Sequence, residues 1–180
     1  SESEDSTRND NIMVINPYAG DKIKLGNIML TSLWPDREWV AERLGDDFIR
    51  PRLAGTQGEA LQSVLGVSTT HTKLNDFSLV FLLTYNSKRI LFTGDADERV
   101  HDKFIDNLTA LPIDILKFPH HGSKTGMEKD TLVVLQPKEA VISVGKNSYG
   151  HPTSEALEML KSLSVKIRRT DLEGEIKYSF

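Results

Sequence analysis

The 180-residue sequence contains no cysteine, which excludes a disulfide framework and any thiolate-ligated metal site. No apolar run is long enough to cross a bilayer as a helix. A basic surplus is also missing: 22 Lys and Arg face 26 Asp and Glu, for a formal charge of -4. That excludes a broad cationic surface for nucleic acid. It does not exclude a nuclease, because a metal site brings its own local positive charge. No secretory leader is visible, and the chain opens on Ser1 rather than Met, which reads as a processed or partial chain. Absence of cysteine fits either redox compartment, so no cellular location follows.

The length suits one domain with a sizeable core. Residues 1–11 offer nothing apolar to bury and are expected to be disordered or a linker, leaving 12–180 as the domain. Ile12–Ile15 reads as a short strand. Lys22–Leu25 and Ile28–Leu33, joined by Gly26 and Asn27, read as a hairpin. Asp36 is placed to cap a short helix carrying Trp39, Val40 and Leu44, with Gly45 ending it. From Asp46 to Leu74 no period holds, so a long loop is expected, with a helical turn at Glu59–Leu65. Ser78–Tyr85 is a buried strand that turns at Asn86 and Ser87 into a second, Arg89–Thr93.

Strands and helices then alternate. Helices are expected over Asp97–Leu108, over Met127–Leu135, and from a cap at Thr153 or Ser154 with Leu157, Leu160 and Leu163 inward. Strands are expected at Ile113–Phe118 and Ala140–Val144. Val165–Arg169 and Glu175–Phe180 both alternate and read as a closing hairpin. The order predicts a mixed α/β (α+β) fold with helices on one face of a mixed sheet.

Three of these strands deliver polar, metal-competent groups at their carboxyl ends, where sites form in sheets with helical crossovers. Asp95 follows Gly94; it is either a helix cap or a ligand. His120, His121, Gly122 and Ser123 follow the second strand. Adjacent residues of an extended strand point to opposite sides, so one histidine is expected on a metal and the other behind it or as a proton donor. His151, with Asn147 and Ser148 before it, follows the third. His151 is either a site residue or a loop histidine against Tyr149, and Asn147 either orients an oxyanion or makes the turn. Asn75 and Ser78 stand where they can reach Asp95 across the hairpin, or simply shape the turn before the strand. His71 and His101 are expected to be solvated bystanders. Carboxylate plus imidazole suits zinc, manganese or iron.

Taken together, Leu74–Val80, Leu91–Asp95, Asp114–Ser123, Ser143–Pro152 and Arg169–Gly174 resemble the metallo-β-lactamase domain of ComEC-type DNA-uptake competence proteins and their free-standing metallohydrolase relatives. The resemblance runs from about Ile12 to Phe180. It implies an αβ/βα sandwich, of which this chain would be the C-terminal portion, because the family's His-x-His-x-Asp-His motif does not occur here. It implies Asp95 as the metal-bridging carboxylate, and one of His120 and His121 (His121 preferred) in the metal site or its shell with His151 nearby. Catalysis would rest on Asp95, His120, His121 and His151, with Ser123, Asn147, Asn75 and Ser78 toward substrate. The implied cofactor is zinc or manganese, two ions in a complete domain, and the implied substrate is single-stranded DNA or another phosphodiester. The implied partner is the missing N-terminal half, without which the bare sheet face points to self-association. The rival expectations are a catalytically incomplete binding or assembly module, and an ester or lactone hydrolase of the same superfamily.

Overall fold

The computed structural model describes residues 16–45, 74–108 and 111–180. The expectations for Ile12–Ile15, Asp46–Leu74 up to residue 73, and His71 lie outside these residues. Seven strands form one sheet in chain order: β1 Lys22–Leu25, β2 Ile28–Trp34, β3 Val80–Tyr85, β4 Lys88–Phe92, β5 Ile115–Lys117, β6 Glu139–Ile142 and β7 Lys166–Arg169. β1 to β4 pair antiparallel, β1 with β2 and β3 with β4 through tight turns and β2 with β3 across the long connection that carries α1 (Arg37–Leu44), and β4 to β7 pair parallel.

Parallel neighbours need crossovers, which α2 His101–Ile105, α3 Lys129–Leu135 and α4 Ser154–Ser162 supply in turn. Each crossover moves one strand further along the sheet, and a constant right hand puts all three helices on the same face. On that face one register row, Leu82, Leu91, Leu116 and Ala140, is buried across four strands. It packs with Phe104, Leu132, Leu135, Ala156 and Leu160 into a single core. α1 Arg37–Leu44 is capped as the sequence predicts: Asp36 accepts from Trp39 N at 3.0 Å, and Gly45 closes the helix at φ 87°. Trp39 and Trp34 meet edge-on, and Trp34 Nε1 donates to the Asp76 carbonyl at 2.6 Å.

The other face carries the alternate row Leu30, Leu83, Ile90, Ile115, Glu139 and Lys166. It grades from aliphatic to ionic, and Lys166 pairs with Glu139 at 2.6 Å. Phe92 on this face is 40% exposed. The C-terminal tail lies here too. Tyr178 donates to Glu139, its hydroxyl held protonated up to about 12 by burial and that carboxylate, and Phe180 reaches Tyr85.

Two expectations are corrected. The closing hairpin does not form: Thr170–Glu173 is a helical turn, α5, and Glu175–Phe180 adds no strand. Thr170 Oγ1 donates to Val144 O at 2.7 Å and accepts from Val144 N at 2.8 Å, and Glu173 accepts from the Arg169 amide at 3.0 Å. That takes up an amide of the edge strand that a hairpin partner would need. The helix expected over Asp97–Leu108 is a 3-10 turn, Glu98–Val100, followed by the short α2. Asp97 stands at its start without capping it, because its carboxylate is engaged elsewhere.

Candidate functional site

The carboxyl ends of β4, β5 and β6 meet at one edge of the sheet, and three loops leave from there. Thr93, buried at the end of β4, donates to Lys117 O at 2.6 Å and locks the first two ends together. Gly94 follows at φ 55°, where a Cβ would sit 3.1 Å from Ser78 Cβ and 3.2 Å from Leu79 O. A glycine therefore lets the chain turn against the start of β3. Ser78 Oγ accepts the Asp95 amide at 3.2 Å, which fixes the backbone of Asp95 while its carboxylate stays in reach of solvent. Asp95 is thus no helix cap. Lys117 Nζ donates to Gly94 O at 2.9 Å; burial pulls its pKa below the ordinary lysine value, against the opposing pull of Asp95.

After β5 the chain does not continue extended. His120 and His121 form a 3-10 turn and both take left-handed φ, 47° and 53°. That conformation is uncommon for residues with a Cβ and is held only where the surroundings demand it. The argument from strand alternation therefore does not apply, yet the two rings still have different partners. His121 Nδ1 lies 2.7 Å from Ser143 O. A carbonyl only accepts, so Nδ1 carries a proton, and in the neutral ring the lone pair is on Nε2. That Nε2 lies 3.9 Å from Asp95 Oδ1, too far for a hydrogen bond. His120 Nδ1 lies 3.3 Å from Asp97 Oδ1, which also accepts from Thr125 Oγ1 at 3.2 Å. Asn75 Nδ2 is 3.4 Å from the same ring nitrogen. A carboxylate cannot donate, so the bond to Asp97 puts the proton on Nδ1, and Asn75 Nδ2, itself a donor, then makes no hydrogen bond to that nitrogen. Here too Nε2 is left as the working nitrogen.

The loop after β6 brings His151 up to this pair. Its ring centroid is 5.7 Å from that of His120 and 6.1 Å from that of Tyr149. Burial first, then the nearby His120 and His121, push its pKa below the ordinary imidazole value, so it stays neutral around pH 7. Gly122 makes this packing feasible: at φ 86°, a Cβ would fall 2.5 Å from Pro152 Cβ and 2.9 Å from its Cα.

The structure thus gathers Asp95, His120, His121 and His151, with Asn75 and Ser78 behind them. Ser123 and Asn147 do not join them through the bonds they make. Ser123 is buried, accepts from Thr125 N at 3.3 Å and faces Thr125 Oγ1 at 3.2 Å. Asn147 spends its amide inside its own loop. His101, expected in solvent, is a core residue at 1% exposure. Asp97 and Thr125 were not singled out by sequence reasoning. The available signal was spacing: Asp97 stands two residues after Asp95, so an extended segment would point both carboxylates the same way.

Zinc bonds nitrogen at about 2.0–2.1 Å and carboxylate oxygen at about 2.0–2.2 Å, so a cation is within bonding reach of both atoms across such a gap. The orientation of His121 by a carbonyl on its other nitrogen is the usual arrangement for a metal-binding imidazole. The donor pair therefore fits a divalent metal. Among the described residues no third His, Asp or Glu joins it as a metal-holding group.

Fold and donor pair point to a metal-binding α/β class, and the comparisons place the chain in a family of that kind. Residues 22–146 match the Metallo-beta-lactamase superfamily, and the chain belongs to that superfamily, which implies divalent-metal binding. Among its relatives are ComE operon protein 3 of Bacillus subtilis (strain 168), 35% identical over 59% of this chain, and Recombination protein 2 of Haemophilus influenzae, 31% identical over 59%. Competence protein ComA of Neisseria gonorrhoeae is 30% identical over 58%. The matches cover 14%, 13% and 15% of those relatives' lengths, so the chain corresponds to a small part of each.

Proposed function

We propose that this chain bears part of the active site of a metal-dependent phosphodiesterase that cuts DNA during competence-type DNA uptake. The observation that carries the reading is the pair Asp95 Oδ1 and His121 Nε2, 3.9 Å apart, with the imidazole oriented by Ser143 O. The names of the relatives, a competence protein and a recombination protein among them, favour DNA over other phosphodiesters. Asp95 and His121 would hold zinc or manganese, which supplies Lewis acidity and positive charge at a phosphodiester.

The residues of the chain have distinct tasks. Asp97 and Thr125 hold His120 with Nδ1 protonated, so Nε2 takes a proton, or returns it to a leaving oxygen. His151, neutral near pH 7, contributes a hydrogen bond to a phosphate oxygen without adding charge that would repel the metal. A second reading is a binding or assembly module. It is favoured by the two-donor set, because catalytic zinc sites use three protein ligands and a water. The two readings diverge on supplying the imidazoles of a His-x-His-x-Asp-His segment in trans. The experiment is manganese-dependent cleavage of single-stranded DNA by the 180-residue chain with that segment added. Cleavage that Asp95→Asn abolishes supports the enzyme; metal-independent binding without cleavage supports the module.

A further inference from the structure

The loop after β6 is tied by one side chain. Asn147 Nδ2 donates to Gly145 O at 2.9 Å and to His151 O at 2.7 Å, while Oδ1 accepts from the amides of Tyr149 and His151, both at 3.0 Å. All four hydrogen-bonding positions of the amide are used, so the loop has one shape rather than several. On it stands Tyr149, 81% exposed. Its ring is tilted 32° from that of His151, and His151 in turn stands beside His120. A large aromatic ring on a braced loop, at the mouth of a cluster of imidazoles, is held out to solvent rather than folded onto the protein.

From this we infer that Tyr149 is a stacking platform for a base of single-stranded nucleic acid, gripping the nucleotide beside the phosphodiester at the imidazoles. The inference rests on the phosphodiester reading of the site and adds the residue that grips a base of that substrate. Stacking needs an exposed π face and an unstacked base, which a single strand offers and an intact duplex does not. The chain as a whole is acidic, so attraction to a backbone must be local. Exposed Lys146 lies three residues from Tyr149 on the same loop. The neighbours Lys146, Asn147, Ser148 and Gly150 form no apolar patch, and this disfavours a hydrophobic protein partner.

The test is fluorescence anisotropy at low salt with the full 180-residue chain, and it does not depend on cleavage. The probes are an oligothymidine and a fully abasic strand of the same length. Wild type is expected to bind the base-bearing strand on the order of tenfold more tightly, as one stacked base provides. Tyr149→Phe should keep that preference. Tyr149→Ala should erase it while binding the abasic strand as wild type does, with an unchanged circular-dichroism spectrum. Equal affinity for the two strands, a preference that survives Tyr149→Ala, or no saturable binding of either strand would each overturn the inference. Hydrolysis of bis(p-nitrophenyl) phosphate, which has no base, by the chain with the His-x-His-x-Asp-His segment added reports separately on the catalytic reading. Preference without hydrolysis refutes only the catalytic reading, and hydrolysis without preference refutes only the stacking platform.

Discussion

Lowering the pH from 7 to 4 should cost this protein stability through one buried imidazole. His101 sits at the start of α2 with 1% exposure, its Nδ1 3.4 Å from Thr131 Oγ1 and its Nε2 buried without a partner among the described residues. Burial disfavours the charged ring and moves its pKa from the ordinary 6.5 down to about 4, against the carbonyls of Ala96 and Gly126 and the carboxylates of Asp102 and Asp97. A depressed folded pKa means that the unfolded chain binds the proton first. The stabilisation is therefore complete above about pH 6.5 and is lost progressively as pH falls toward 4. A displacement of that size corresponds to about 3 kcal/mol between the protonation states. The ring is fully enclosed, so no large discount for solvent applies. The assay is urea unfolding at a series of pH values for wild type and His101→Gln. Gln cannot titrate, so its stability curve should be flatter between pH 6.5 and 4 by up to about 3 kcal/mol, whatever its absolute stability. His151 is displaced in the same direction but is present in both proteins and drops out of the difference. Parallel curves for the two proteins would show that His101 does not titrate as its surroundings require.

The other predictions concern the sheet edge. Asp95→Asn should abolish phosphodiester cleavage by the completed site and weaken zinc or manganese uptake by the chain alone, measured by equilibrium dialysis; unaltered uptake would remove Asp95 from the metal. Gly122→Ala should lower stability by more than the ~1 kcal/mol of a left-handed alanine, because its Cβ would strike Pro152 at 2.5 Å. Gly150→Ala, at φ 77° with nothing near the added Cβ, supplies the strain-only control in thermal unfolding, and equal losses in the two variants would contradict the packing argument. Asp97→Asn should release the tautomer of His120, seen in 15N chemical shifts as a mixture of Nδ1–H and Nε2–H forms. An unchanged single Nδ1–H tautomer would mean that the Asp97 carboxylate does not set it, and a switch to a single Nε2–H form would mean that Asn75 Nδ2 then donates to Nδ1.

Several elements are determined by the chain alone, because their causes are local. Asp36 capping Trp39 and Gly45 ending α1 act within a few residues. The β1–β2 and β3–β4 hairpins follow from tight turns between apolar runs. The row Leu82, Leu91, Leu116 and Ala140 comes from strands whose apolar character is plain in the sequence, so the mixed sheet with helices on one face was legible. So were the three strand ends that carry Asp95, His120 with His121, and His151.

Tertiary structure decided what each of those groups can do. Whether Asp95 caps a helix or turns its carboxylate toward His121 depends on Ser78, which is 17 residues away. Which histidine faces Asp95 depends on Ser143 O, 22 residues from His121, and on two left-handed backbone angles that no alternation rule anticipates. Asp97 looked like a helix start and became the acceptor for His120 and Thr125, so the helix after it began later and ran shorter. His101 fell one position past an apolar residue and looked solvated, yet the packing of α2 against α3 buried it. The alternation of Glu175–Phe180 suited a strand, but Glu173 had already taken an amide of the β7 edge, so the tail crossed the sheet face instead. In each case the deciding contact spans residues that are remote in sequence or competes with a local preference of similar strength, and only the folded chain ranks the two.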